Sequence, residues 1–314
     1  MPPLGEGRYG GALVPPQPGR PSGSSGEPGA GGGDNRSSRR AVTEPGVFAV
    51  RGVRSPLVGR DDTLEVLGEA LTRAVEFQAP QLVTIVGNQG TGKSRAGAEL
   101  IERTVRAPVR VYFGRARDRG QRWGVIASFL RDRFQLNDSE APELSQAKFA
   151  AEVRAAFGDE HITEVLHFLG GFVDLAFPSS PFLRVLNENP EQHAEIARTV
   201  LRRFLEAAAH RGPLLLVFDD LHWADDDSLR LLRELGAGLG GSPVMMISCT
   251  RPEMLVRCAD WGVGATDHER IDLRNLEPDD AETMFRNLLA RCDGVSDDIV
   301  DDAVEMTGGN PHFL

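Results

Sequence analysis

Apolar runs and amphipathic segments alternate along the chain from residue 55 onward, and this pattern predicts its elements. The run QLVTIVG at 81–87 carries β-branched residues without polar alternation, which is typical of a strand covered on both faces. Four further segments are strand candidates: 109–114, 213–220, 243–250 and the short 270–273. Helical patterns separate them, and strands that alternate with helices predict a parallel α/β sheet.

Two helical regions flank or interrupt these strands. Leu64, Leu67, Leu71 and Val75 recur at the spacing of one helix face, so we predict a helix before the first strand. The segment from 120 to 210 is mostly helical by the same criterion, and we interpret its apolar face as packing surface.

The first 54 residues have the composition of a disordered tail. Residues 1–50 hold 12 of the 35 glycines and 8 of the 20 prolines, with serines clustered between them. Such a segment buries too little apolar surface to offset the entropy that is lost on ordering. We therefore predict a flexible tail or linker at 1–54, with a docking arm for an acidic partner as the alternative.

The bulk composition argues against several classes of protein. With 314 residues and 40% hydrophobic residues, the chain can form one large domain or two modest ones. The net charge of -11 argues against direct DNA binding and against adhesion to anionic membranes. Cys249, Cys258 and Cys292 lack the spacing of a disulfide framework or a zinc site. Because the sequence shows neither a membrane span nor a secretory signal, we expect a cytoplasmic location.

The first strand runs into GNQGTGKS, which fits the phosphate-binding pattern G-x-x-x-x-G-K-[ST] between a strand and a helix. Glycines let successive backbone N–H groups surround a phosphate, and the following helix presents its amides and positive dipole end to the same anion. We expect Lys93 to contact the β- and γ-phosphates and to act in catalysis, and the Ser94 hydroxyl to ligate Mg²⁺. The predicted contacts to ATP or ADP in this loop are Gly87, Asn88, Gln89, Gly90, Thr91, Gly92, Lys93, Ser94 and Arg95.

Two acidic residues end the predicted strand LLLVFDD at 214–220. In the Walker B arrangement the first acid holds the Mg²⁺ coordination shell and the second orients the attacking water. Asp219 and Asp220 fill these two places. Vigorous ATPases of the additional-strand class usually have glutamate at the second place. Because aspartate is one methylene shorter, we predict catalysis by Asp220 with slow turnover.

The strand at 243–250 ends in Thr250, and Arg251 follows it. An arginine at this strand end lies beside the γ-phosphate in this architecture, so we predict that Arg251 is catalytic. A cationic side chain at a sheet edge is the alternative. His222 and Trp223, just past the acids, are interpreted as packing at a helix start.

Four segments together resemble one family: SPLVGRDDTLEVL, LLLVFDDLHWADDDSLRLL, SCTRPE and GGNPHFL. They are similar to the STAND class of signalling ATPases, in the AAA-type subgroup that is origin-recognition-complex-like, over residues 55–314. The resemblance implies a P-loop NTPase three-layer sandwich with sheet order 5-1-4-3-2 and a helical lid. It also implies a switch that holds ADP at rest and exchanges it for ATP to release an effector or to oligomerise.

The same resemblance implies further site residues and domain boundaries. Val58, Gly59 and Arg60 would border the adenine. Pro311 would approach the base from the lid, although GGNP is also a plausible helix stop. After the tail at 1–54, which its composition predicts, the implied parts are a nucleotide-binding domain at 55–274 with a helical insertion at 120–210, and a short lid at 275–314.

From these residues we predict a slowly hydrolysing switch ATPase in signalling or transcriptional regulation. Two alternatives stay open: an origin-recognition-like or clamp-loader-like ATPase that acts on DNA, and a nucleotide-stabilised scaffold without turnover. A small-molecule kinase would need an acceptor site, and we identify none in the sequence of 120–210. Family members usually continue into further domains. The expected partners are therefore an unidentified protein, C-terminal regulatory domains or further copies of this chain.

Overall fold

A five-stranded parallel sheet forms the centre of the structure, a computed structural model that describes residues 55–104, 108–117, 121–159, 162–177, 189–292 and 294–314. These residues all fall within one compact unit of the chain. The tail predicted at 1–54 lies outside the described residues.

The strands are β1 (Gln81–Val86), β2 (Arg110–Arg115), β3 (Leu214–Asp219), β4 (Val244–Thr250) and β5 (His268–Asp272). They stand in the order β2-β3-β4-β1-β5, which confirms the predicted α/β class and the order 5-1-4-3-2. Every residue of β1, β3 and β4 is buried, whereas β5 at the sheet edge is partly exposed. β5 starts two residues before the predicted 270 because its pairing with β1 extends to the polar residue His268.

Helices connect the strands. They are α1 (Asp61–Glu76), α2 (Lys93–Thr104), α3 (Gly124–Phe134), α4 (Pro142–Phe157), α5 (Ile162–Gly171), α6 (Pro190–Ala209), α7 (Asp226–Gly238), α8 (Pro252–Arg257), α9 (Pro278–Leu288) and α10 (Asp297–Thr307). Local capping sets some of the starts: the Asp225 carboxylate accepts the Ser228 amide at 3.0 Å where α7 begins. Among the helices of the described ranges, none combines the length and the apolar composition needed to cross a bilayer.

Alternate residues of the buried strands pack into two separate apolar layers. In β3, Leu216 and Phe218 belong to the layer formed with helices α3 to α7. Leu215 and Val217 belong to the layer formed with α1 and α2. Because successive side chains of a strand point to opposite faces, the sheet lies between two helical layers. The predicted three-layer sandwich is confirmed.

Helices α3 to α6 lie between β2 and β3 in the chain and build an aromatic core on one face of the sheet. Ring centroids of Phe134 lie 4.3 Å from Phe149 and 5.5 Å from Phe204. Phe129 extends this group to the sheet, at 5.7 Å from Phe218 of β3. Aromatic pairs at such distances stabilise a core beyond the area they bury. The described helices of the segment predicted at 120–210, α3 to α6, are thus part of the main core.

Phe204→Ala tests this core. Phe204 is 0% exposed, so we expect its truncation to lower the free energy of unfolding by about 3–5 kcal/mol. Urea unfolding measures the change. Phe77→Ala is the matched control, because Phe77 is 69% exposed and its loss should cost less than about 0.5 kcal/mol. Equal effects of the two substitutions would contradict the assignment of the core.

Candidate functional site

The loop between β1 and α2 has a backbone that its glycines make possible. Gly90 and Gly92 have φ values of +85° and +96°, in the left-handed region where side chains are strained. A Cβ on Gly90 would also lie 2.3 Å from Asn310 Oδ1. Within the part of the chain that the structure describes, the amides of residues 89–92 donate to no protein acceptor. They are therefore available to an anion at the start of α2.

Lys93 lies folded over this loop. Its Nζ donates to the backbone oxygens of Gly87 at 2.8 Å and of Asn88 at 2.7 Å. The residue is buried, and burial lowers the pKa of the ammonium group, while Asp219 and Asp220 act against that shift. Phosphate oxygens would bind this ammonium more strongly than neutral carbonyls do, because both partners would then be charged.

Two side chains from distant segments donate hydrogen bonds to carbonyl groups of the loop. Asn310 Nδ2 donates to the Gln89 carbonyl at 3.0 Å. Arg60 Nη2 donates to the carbonyls of Thr91 at 3.2 Å and of Arg274 at 2.6 Å. The loop is therefore fixed through its carbonyl groups, while the amides of residues 89–92 have no acceptor among the described residues.

Asp219 ends β3 with almost no exposure to solvent. Its Oδ2 accepts hydrogen bonds from Ser94 Oγ and from Arg115 Nη2, both at 2.8 Å. Its Oδ1 accepts the Asp220 amide at 3.0 Å. The structure thus brings together Ser94 and Asp219, the two residues predicted to hold Mg²⁺. Hard oxygen donors of this kind fit Mg²⁺, which takes one or two carboxylates and completes its shell with water and phosphate.

Asp220 occupies an unusual backbone conformation next to this pair. Its φ is +58°, which is rare for a residue other than glycine and is often found at functional sites. Burial and then the Asp219 carboxylate raise the pKa of Asp220, against the attraction of Arg115. Arg115 Nε lies 3.8 Å from Asp220 Oδ2.

Arg251 follows β4 and lies beside the loop. Its Nη2 donates to Gln89 Oε1 at 3.4 Å. Arg251, Asp220 and Lys93 line the same cleft of about 360 Å³. The three residues predicted to be catalytic therefore meet at the carboxyl ends of the strands.

Much of the rest of this cleft is formed by residues before β1 and after β5. Val58, Arg60 and Pro311, for which the resemblance implied contacts to the base, line it, and so does Arg95 of α2. Gly59 instead approaches α9, where a Cβ would lie 2.2 Å from Asp280 Oδ2. The sequence analysis missed several cleft residues that come from the α9 region and from the chain after α10: Leu276, Met284, Leu288 and His312.

The segment GGNPHFL combines a helix stop with a contact to the loop. Gly308 ends α10 in the left-handed region at φ +55°. The buried Asn310 side chain accepts the His312 amide at 3.0 Å while it donates to Gln89. The helix stop is confirmed, whereas the approach of Pro311 to the base stays a prediction. The contact of the Asn310 side chain with the loop was not predicted from the sequence.

The short 3-10 turn Leu221–Trp223 follows Asp220. His222 and Trp223 line a second cleft of about 560 Å³, which also includes Arg251. Burial, and then the Arg251 and Lys93 charges, lower the pKa of His222 to about 4, so the imidazole is neutral at pH 7. The packing role predicted for these two residues stays a prediction.

Gly90→Ala tests the loop geometry. Besides the strain of φ +85°, its Cβ would collide with Asn310, so we expect a loss of about 1–3 kcal/mol in the free energy of unfolding. Gly240→Ala is the control, because nothing lies within 4 Å of a Cβ there. Chemical denaturation compares the two variants, and indistinguishable midpoints would argue against the close contact between the loop and Asn310.

Relatives of this chain are longer than it is. An uncharacterised protein of Rhizobium meliloti (strain 1021) is 26% identical over 277 residues, which cover 85% of this chain and 25% of that protein. The STAND protein with a tetratricopeptide repeat sensor from Pyrococcus horikoshii is 16% identical with a TM-score of 0.43, covering 82% of this chain and 29% of that one. For Cdc6p from Pyrobaculum aerophilum the identity is 16% and the TM-score 0.49, with coverages of 85% and 59%.

The family model described as AAA ATPase domain matches residues 56–247. This range is more than half of the chain, and it includes the glycine loop, Ser94, Asp219 and Asp220. The match confirms the resemblance to AAA-type P-loop ATPases that the motifs indicated. The chain, with its glycine loop facing the acids of β3, belongs to the AAA ATPase domain family.

Proposed function

We propose that this chain binds ATP and hydrolyses it slowly, as a STAND-type switch ATPase in signalling or transcriptional regulation. The observation that carries the proposal is the 2.8 Å hydrogen bond from Ser94 to Asp219 beside the glycine loop. A hydroxyl and a carboxylate at this place are the protein oxygens that Mg²⁺ needs when it is bound together with nucleotide phosphates.

Nucleotide binding would use the whole cleft. The loop amides and Lys93 would hold the phosphates of ATP or ADP, as the sequence predicted for Gly87 to Arg95. Val58 and Pro311 line the same cleft with apolar surface suited to a base. Ser94 and Asp219 would hold Mg²⁺, which supplies charge neutralisation for the phosphates.

Hydrolysis would depend on three side chains. Asp220 would accept a hydrogen bond from water and orient it toward the terminal phosphate. Lys93 and Arg251 would stabilise the negative charge that spreads over the transferred group. The short side chain of Asp220 supports slow turnover.

We also propose the domain division that the sequence implied, with nucleotide binding in 55–274, a helical insertion at 120–210 and a lid in 275–314. Support for a lid that responds to the nucleotide comes from Asn310, which lies in that segment and contacts Gln89.

The switch would act in the cytoplasm on an unidentified protein partner, on C-terminal regulatory domains, or through nucleotide-dependent assembly with further copies. An ATPase that acts on DNA and a scaffold without turnover are the alternatives, and measured release of phosphate distinguishes the scaffold from the switch.

Lys93→Ala tests nucleotide binding. Because the variant loses the ammonium group that lies over the loop, we expect ATP affinity to fall at least about tenfold in a calorimetric titration. The other lysine of the chain, Lys148, pairs with Glu140 in the helical segment, so Lys148→Ala should bind ATP like the unmodified protein. Unchanged affinity in Lys93→Ala would reject the site.

The raised pKa of Asp220 leads us to expect that hydrolysis depends on pH. Its raised pKa means that the carboxylate becomes protonated at a higher pH than an ordinary aspartate, and a protonated Asp220 orients water poorly. We therefore expect single-turnover phosphate release to decline as the pH falls, starting above the usual aspartate range, while ADP retention at the same pH stays constant. Asp220→Asn should abolish phosphate release and, with it, this decline toward low pH.

Asp220→Glu completes the test of slow turnover. If side-chain length limits the positioning of water, the longer carboxylate should raise the rate of phosphate release. An equal rate in the Asp220→Glu variant and the unmodified protein would exclude that explanation.

A further inference from the structure

We propose that Arg115 competes with Mg²⁺ for the Asp219 carboxylate and so sets the Mg²⁺ concentration at which the chain retains nucleotide. This inference rests on the proposed function, since it concerns the metal that would accompany ATP or ADP. Arg115 lies at the end of β2, outside both the glycine loop and the acidic pair Asp219 and Asp220.

The position of Arg115 follows from the register of the sheet. Arg115 is the last residue of β2 and pairs directly with Asp219 of β3. Its backbone is held on both sides, since its N–H donates to Ser128 Oγ at 3.1 Å and the next amide donates to the Asp219 carbonyl at 3.1 Å. A side chain that leaves this point along the strand end therefore reaches the carboxylates of β3.

The guanidinium group contacts both of these carboxylates. Its Nη2 donates to Asp219 Oδ2 at 2.8 Å, and its Nε lies 3.8 Å from Asp220 Oδ2. The group also lies over the Phe113 ring, with 5.4 Å between the guanidinium carbon and the ring centroid. Asp219 is 1% exposed in this pair, so the arginine provides the charge that a buried carboxylate requires.

The same oxygen of Asp219 also accepts the Ser94 hydroxyl. Ser94 and Asp219 are the proposed Mg²⁺ residues, and Arg115 therefore holds an atom at the metal site itself. The positive charges of Arg115, Lys93 and Arg251 all attract the Asp220 carboxylate, and Arg115 also pairs with Asp219. Three cations therefore surround this acidic pair without any metal. A divalent cation that enters this site meets a positive excess, which Arg115 contributes and which the phosphates of the nucleotide would offset.

A purely structural role and a competing role for Arg115 predict opposite changes in the Mg²⁺ requirement when the arginine is lost. If the arginine only oriented Asp219 for Mg²⁺, its loss would leave a misplaced carboxylate, and more Mg²⁺ would be required. If it competes, its loss leaves Asp219 with an unneutralised charge, and less Mg²⁺ would be required. The direction of the change therefore separates the two roles.

The experiment uses the full chain, freed of nucleotide by EDTA and gel filtration. A fluorescent ADP analogue is added, and MgCl₂ is titrated to find the free Mg²⁺ that gives half-maximal retention. For Arg115→Gln we expect this concentration to be about tenfold lower than for the unmodified protein, the size of effect that one opposite charge nearby has on a carboxylate. Arg117→Gln is the matched control, because it makes the same change in net charge at an exposed position two residues along.

A half-maximal concentration that is unchanged or higher in Arg115→Gln overturns the competition. If the unmodified protein retains no ADP analogue at any Mg²⁺ concentration, the proposed function itself fails, and this inference fails with it. Retention by the unmodified protein with no shift in the variant rejects the inference alone.

Two further measurements test the proposal if Arg115→Gln folds poorly. Arg115→Lys keeps the positive charge but loses the guanidinium contacts with Asp219 and Asp220, so its half-maximal Mg²⁺ concentration should lie between those of Arg115→Gln and the unmodified protein. A value above that of the unmodified protein overturns the proposal. The melting temperature of Arg115→Gln should fall in EDTA, and Mg²⁺ with ADP should raise it more than in the unmodified protein. An equal or smaller rise again argues against competition.

Discussion

One buried carboxylate, that of Asp219, connects the parts of this structure on which its chemistry depends. It joins the first turn of α2 through Ser94, the end of β2 through Arg115 and its own neighbour through the Asp220 amide. A carboxylate with 1% exposure is stable only when donors or cations compensate its charge, so these contacts are required by burial itself. The need to compensate this buried charge therefore holds α2, β2 and β3 together at the carboxyl ends of the strands.

Next to this carboxylate, the glycine loop is held through its carbonyl groups, while the amides of residues 89–92 have no acceptor among the described residues. Arg60 and Asn310, which lie far apart in the sequence, donate hydrogen bonds to the loop carbonyls. Unpaired carbonyls next to a phosphate would repel it, whereas amides attract it. The arrangement orients the peptide groups of the loop before any anion binds, and preorganisation of this kind reduces the entropy lost on binding.

The sequence was sufficient for the features that depend on local pattern. The buried strands follow from unbroken apolar runs, and the glycine loop follows from residue spacing between a strand and a helix. Arg115 and Asn310 were missed for a physical reason, since their roles depend on neighbours across the sheet and on a contact 221 residues away in the chain. A strand order that places β2 beside β3, together with an arginine directly after VYFG, was the signal that would have pointed to Arg115. The polar start of β5 was missed because pairing, not hydrophobicity, decides where an edge strand begins.

The hydrogen bond between Asn310 and Gln89 has a consequence for biosynthesis. The loop leaves the ribosome early, but the side chain that pairs its Gln89 carbonyl is translated 221 residues later. At about 5–20 residues per second, the loop waits on the order of ten seconds or more for this partner. All five strands are translated before Asn310, so the loop acquires this hydrogen-bond partner only after the segment that follows α10 has emerged.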